Sequence, residues 1–193
     1  MVNKIEGRKV PLFLFDFSSD FCYTKIKRLE VKMKIELWTD GACRGNGFNA
    51  TKSGIGGVIL IPDHEPFYFK ERLGFAPNTN NKSEIYAVIK GLTLLEEQYP
   101  YTHENFGDEL IIYSDSAYLI NGITSWINGW RINNWMNSKK EPVKNQELWK
   151  ILDELLDDFK KKYNVSFKKV RGHSGIYWNE VCDKLANEAM DGI

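Results

Sequence analysis

Four acidic side chains stand in four different local settings: Asp40 in TDGACRGNG, Glu84 in TNNKSEIYAVIKGL, Asp115 in IIYSDSAYLI and Asp183 in NEVCDKLANEAM. Asp40 and Asp115 each end a short apolar run, KIELWTD and ELIIYSD, a pattern that presents a carboxylate at the carboxyl edge of a buried strand. Glu84 and Asp183 fall in helical patterns, so two strand ends and two helices can converge on one point. Carboxylates brought together repel one another unless cations neutralise them. Two Mg²⁺ ions about 3.5–4 Å apart would do so, while activating water and stabilising the leaving oxygen of a phosphodiester. Taken singly, each acid is ordinarily a turn former or a helix cap; only the set points to metal chemistry.

The elements that must carry these residues are legible from residue 34 onward. KIELWTD reads as a strand, and GIGGVILI and PFYFKERLGF as two more, joined in hairpins through the turn signals GNGFNATKSG and PDHE. Apolar Ile85, Val88, Ile89, Leu92 and Leu95 recur at helical spacing over 81–98, with Tyr99 and Pro100 as the stop. ELIIYSD is a fourth strand, buried on both faces by its composition. Residues 116–130 and 145–163 read as helices, VSFKKVRG as a fifth strand and 179–190 as the closing helix. The order predicts an α/β (mixed α+β) fold, a five-stranded mixed sheet flanked by helices. No repeat, membrane-spanning stretch or low-complexity linker interrupts it.

At 193 residues, with 42% hydrophobic and 27% charged, the chain can bury one sizeable core. Three cysteines without a CxxC make neither a disulfide framework nor a zinc cluster and suit a reduced, cytoplasmic setting. Formal net charge is zero, yet basic residues cluster. Lys160 to Arg171 holds six of them and no acid, and Arg131, Lys139, Lys140, Lys144 and Lys150 outnumber Glu141 and Glu147. These stretches interleave with Trp126, Trp130, Trp135 and Trp149, a mixture suited to gripping phosphate while packing on sugar or base, although tryptophans also serve cores.

Five segments, taken in order and spacing, resemble the type 1 ribonucleases H, the bacterial ribonuclease HI group and its relatives in eukaryotic enzymes and reverse transcriptases. TDGACRGNG with GIGGVI is similar to that family's first hairpin, and NTNNKSEIYAVIKGL to its first helix. YSDSAYLINGITSWINGW resembles the fourth strand and the helix after it. WMNSKKEPVKNQELW is similar to the basic protrusion, and VRGHSGIYWNEVCDKLANEA to the catalytic loop and last helix. The resemblance covers residues 33–193 and implies an endonuclease that cuts the RNA strand of RNA/DNA hybrids, leaving 3′-hydroxyl and 5′-phosphate ends.

The same resemblance implies roles for particular residues. Asp40 would bridge two Mg²⁺ (or Mn²⁺) ions, Glu84 and Asp115 would hold the ion that activates water, and Asp183 the ion on the leaving-group side. His173, between the glycines of RGHSG, would shuttle a proton or aid product release; imidazole titrates in the useful range. His64 and His103 read as ordinary surface or core histidines. Cys43, Asn46, Asn80 and Asn81 match minor-groove contacts to RNA 2′-hydroxyls and bases. Thr79 and Asn145 match a pocket for a DNA phosphate, with Pro77 where eukaryotic members carry arginine. Tyr118 and Trp126 match an aromatic channel against deoxyribose. A hybrid substrate, no membrane and a monomeric state are implied as well.

Residues 1–32 carry Lys4, Arg8 and Lys9 before VPLFLFDF, a run too short, and too interrupted by Pro11 and Asp16, for an export signal. They read as an accessory extension or as the product of an upstream start. Two other readings accompany the nuclease: a non-catalytic hybrid-binding module, which would not need clustered negative charge beside a polyanion, and a different nuclease of the same superfamily, since fold alone does not fix activity.

Overall fold

A computed structural model describes residues 32–45, 52–74, 79–102 and 107–192. The expectations for Asn46, Pro77, His103, the first hairpin turn and the extension before Lys32 lie outside them. Five strands form one mixed sheet in the order β3-β2-β1-β4-β5: β1 Lys34–Arg44, β2 Lys52–Leu60, β3 Phe67–Arg72, β4 Glu109–Ser114 and β5 Asn164–Lys169. β1–β2 and β2–β3 pair antiparallel, and β1–β4 and β4–β5 parallel. Between them run α1 Asn80–Gln98, α2 Ala117–Asn121, a wide π-helical turn Gly122–Trp126, α3 Ile127–Ile132, α4 Gln146–Lys162 and α5 Tyr177–Asp191.

One difference from the sequence reading bears on the site. KIELWTD does not stop at Asp40: β1 continues through Gly41–Arg44, antiparallel to β2. Parallel pairing with β4 does stop, at Trp38↔Tyr113. Asp40 and Asp115 each lie two residues past that rung, so the register sets them at one height. The single helix expected over 116–130 is instead α2, the wide turn and α3, because Thr124 Oγ1 and the extra residue of the turn disturb regular α-helical bonding; Thr124 donates back to the Ile120 carbonyl at 2.7 Å.

The apolar residues of one sheet face, Ile35, Leu37, Leu110 and Ile112 among them, pack with Ile85, Val88, Leu92 and Leu95 of α1 and with Trp149, Leu152, Leu156 and Phe159 of α4. Each fully buried leucine contributes about 1.5–3 kcal/mol by leaving water. Thr79 starts α1 by accepting the Lys82 N–H on its hydroxyl at 3.2 Å, and Tyr99 closes it through a bond to the Leu95 carbonyl at 2.9 Å before Pro100. α5 covers part of the opposite face, its Cys182 clustering with Trp38, Val58, Ile111 and Tyr113 of the sheet. Its approach depends on β2 glycines: a Cβ on Gly54 would lie 2.5 Å from the Ala186 carbonyl oxygen, and one on Gly56 2.5 Å from the Ala186 nitrogen. Gly56 pairs with Asp40, so the contact that docks α5 also brings Asp183 beside β1.

Candidate active site

Asp40, Glu84 and Asp115 each offer a carboxylate oxygen within 4.8 Å of the others. β1 supplies the first and the end of β4 the third. Glu84 comes from the second turn of α1, which reaches the strand because residue 41 is glycine; a Cβ there would stand 2.5 Å from the Glu84 nitrogen. Asp183 does not join this tight group. Its side chain is 35% exposed, its Oδ1 accepts from Asn187 Nδ2 at 2.9 Å, and its Oδ2 lies 4.0 Å from His173 Nδ1. Its charge still acts on Asp40.

Burial and mutual repulsion show in the protonation of the group. Asp40 is pushed up from 3.8 to about 7, first by burial and then by the charges of Asp115 and Asp183, against the Gly41 N–H that donates to its Oδ1 at 2.8 Å. Glu84 is raised well above the usual carboxylate range by burial, with Asp40 and Asp115 adding to it and the Ser114 hydroxyl opposing. One Glu84 oxygen, Oε2, is buried with no hydrogen-bond partner. An orphaned buried carboxylate oxygen facing two further carboxylates is a donor set for a hard divalent cation, which takes oxygen ligands and cancels the repulsion. The residues present fit such an ion.

Two residues that sequence reasoning did not single out hold Asp115 in place. Asn179, 3% exposed, donates from Nδ2 to Asp115 Oδ2 at 3.2 Å. Gly172 lies under the same oxygen, where a Cβ would come within 2.5 Å of Oδ2. The spacing of Asn179 to Asp183, one helical turn on one face, was the available signal. His173 itself is exposed on a left-handed residue, φ 49°.

The expected substrate contacts are placed around the acids. Cys43 lies three residues past Asp40 on β1, half-buried, with its thiol raised by burial and 2.9 Å from the Gly45 carbonyl. Asn80 and Asn81 are exposed at the start of α1. Thr79 is the α1 cap, and Asn145 occupies the equivalent position before α4 in a left-handed conformation, φ 59°, without capping it. Lys82 and Glu147, 4.0 Å apart, bring the two helix starts together. Tyr118 and Trp126 meet edge-on with ring centroids 5.9 Å apart, and Trp126 is 39% exposed.

Trp149 is fully buried, donating to the Tyr118 hydroxyl at 3.1 Å, so that tryptophan is core. Arg131, grouped by sequence with the phosphate-gripping cations, is committed to Asp153 and Asp157 instead. Lys139, Lys140 and Lys144 are exposed and carry no ion pair among the described residues. No helix among the described residues is long and apolar enough to cross a membrane.

A mixed sheet with this strand order, an acid cluster at the ends of β1 and β4, and a last helix bearing a further acid define the class of the ribonuclease H-type nucleases. The RNase H family model matches residues 32–191, and the chain belongs to the ribonuclease H family. It is 47% identical over 159 residues to the ribonuclease H of Clostridium botulinum (strain Hall), covering 82% of this chain and 96% of that one. It is 40% identical over 158 residues to the ribonuclease HI of Haemophilus influenzae (strain Rd), covering 82% and 90%. In three dimensions it is similar to LC9-RNase H1, a type 1 RNase H with the type 2 active-site motif, at TM-score 0.66 and 21% identity over 83% of this chain and 74% of that one. RNase H1 of the halophilic archaeon Halobacterium salinarum superposes at TM-score 0.57 and 23% identity, over 83% and 99%.

Proposed function

We propose that this chain is an endonuclease that hydrolyses the RNA strand of RNA/DNA hybrids, leaving 3′-hydroxyl and 5′-phosphate ends. The observation that carries it is the convergence of Asp40, Glu84 and Asp115, with the orphaned Glu84 oxygen, in a ribonuclease H chain. A binding module gains nothing from concentrated negative charge beside a polyanion.

Asp40, Glu84, Asp115 and Asp183 would hold two Mg²⁺ ions, or Mn²⁺ in their stead. When bound, such ions lower the pKa of water and stabilise charge on the phosphate oxygens. The chain's own residues position the rest. Asn179 and Gly172 fix the Asp115 carboxylate, and the Gly41 N–H fixes Asp40. His173, exposed on its glycine-flanked loop and 4.0 Å from Asp183, would move a proton or aid product release.

Cys43, Asn46, Asn80 and Asn81 would read RNA 2′-hydroxyls, Thr79 and Asn145 would take a DNA phosphate at paired helix starts, and Tyr118 and Trp126 would pack on deoxyribose. Residues 33–193 form the catalytic domain in this reading, acting as a monomer in the cytoplasm. Labelled RNA/DNA, RNA/RNA and DNA/DNA duplexes incubated with the protein in Mg²⁺ test it: only the RNA of the hybrid should be cut. Binding without cutting, or cleavage of duplex DNA, would overturn it.

A further inference from the structure

The loop between α3 and α4, residues 133–145, is braced within itself. Asn137 Oδ1 accepts the N–H groups of Lys139 at 2.8 Å and Glu141 at 3.1 Å, and Met136 and Pro142 form an antiparallel bridge. The Trp135 carbonyl accepts from Val143 N at 3.0 Å and from Gln146 Nε2 at 2.7 Å. Val143 is buried in the core and the Tyr118 hydroxyl donates to the Lys144 carbonyl at 3.2 Å, which anchors the α4 side of this stiffened unit and leaves its direction to the end of α3.

The α3 attachment ends abruptly. α3 continues the helical run from α2 and the wide turn, with Ile127 buried, but past Ile132 the chain leaves it through two successive left-handed non-glycine residues, Asn134 at φ 51° and Trp135 at φ 61°. Arg131 ties this end down. Its Nε and Nη2 grip both oxygens of Asp153, the second at 2.6 Å, and Nη2 also reaches Asp157 at 2.8 Å. Asp153 and Asp157 are one turn apart on α4. Bidentate charge-assisted pairing fixes direction as well as distance.

The charge balance of this clamp is unexpected for its place. One cation is matched by two carboxylates, a net negative charge behind a loop whose exposed Lys139, Lys140 and Lys144 are suited to meet a phosphate backbone. Electrostatics alone would favour removing an acid there. The geometry points to Arg131, Asp153 and Asp157 as positioning residues for substrate: the clamp aims the basic loop at the hybrid, and Arg131 does not itself touch phosphate. This rests on the hybrid-cleaving reading above.

The sign of one substitution separates aiming from charge. Asp157→Asn removes a negative charge near a polyanion, yet here it should raise KM for the hybrid about threefold and leave kcat within twofold, because the clamp loosens. The Asp157 side chain is 48% exposed, so the variant keeps its fold. Asp153→Asn should raise KM about tenfold, assayed below its own melting temperature. Arg131→Gln should raise KM without changing the slope of log KM against log salt. An unchanged or lower KM in both aspartate variants, or a salt slope shallower by about one in Arg131→Gln, would overturn the clamp and make Arg131 a direct phosphate contact. Failure of the wild-type protein to bind or cut hybrid would instead overturn the functional reading.

Discussion

Asn179 Nδ2 lies 3.2 Å from Asp115 Oδ2, and both side chains are held from below, Asn179 by burial in α5 and Asp115 by the bare Cα of Gly172. A neutral amide orients the carboxylate without cancelling the charge a cation needs. Asn179→Ala should therefore weaken Mn²⁺ binding to the substrate-free protein about 10- to 100-fold, the usual cost of losing a ligand's hydrogen-bond partner. Calorimetric titration measures this without turnover. Unchanged Mn²⁺ affinity would remove Asn179 from the site.

Protonation of the acid cluster makes stability depend on pH in a direction opposite to that of most carboxylates. Asp40 holds its proton more tightly folded than unfolded, from 3.8 to about 7, so the folded state binds more protons across that window. Its contribution is fully present below the unfolded value and is lost as pH rises through the folded one. In EDTA the Tm should fall between about pH 4 and pH 7, and Asp40→Asn should flatten the slope. Mg²⁺ or Mn²⁺ should restore the Tm at the alkaline end, because a cation binds the ionised cluster. A metal-free Tm that does not depend on Asp40 across this window would contradict the coupling.

Much of this arrangement is legible in the sequence, and the gaps have physical reasons. Apolar periodicity marks β4 and α1 because burial is what it reports, and the four acids stand out by their settings. The continuation of β1 past Asp40 is not marked, since Gly41–Arg44 are held by backbone pairing with β2, to which hydrophobicity is blind. Arg131 reads as a free cation in a basic stretch because its partners, Asp153 and Asp157, lie some two dozen residues away on another helix. The buried, unpartnered oxygen of Glu84 is a property of three elements meeting and exists in none of them alone.

Lys139, Lys140 and Lys144 sit on the braced loop, away from the acids in the chain and without ion pairs among the described residues. Replacing all three by alanine should raise KM and flatten its salt dependence, because fewer counterions are released, with kcat at saturation little changed. Steady-state kinetics at several salt concentrations read both. A large fall in kcat at constant KM would place the lysines in the transition state.

His173 is 83% exposed in its side chain and touches only the edge of the cluster, 4.0 Å from Asp183. His173→Ala should slow turnover by about 10²-fold, the lower end for a general acid–base group, since bound cations would carry most of the chemistry. The Tm should move little, as no packed neighbour is lost. A large Tm drop with a proportionate activity loss would make the residue structural.

The most direct test of the account is single-turnover cleavage of an end-labelled RNA/DNA hybrid by Asp115→Asn, with hybrid binding measured on the same preparation. Asp115 is a ligand candidate whose loss weakens cation binding and also reduces repulsion toward the phosphate backbone. Cleavage of the RNA strand should be abolished while hybrid affinity is retained or increased. Cleavage within tenfold of the unmodified chain would show that hydrolysis does not run through the Asp40, Glu84 and Asp115 cluster.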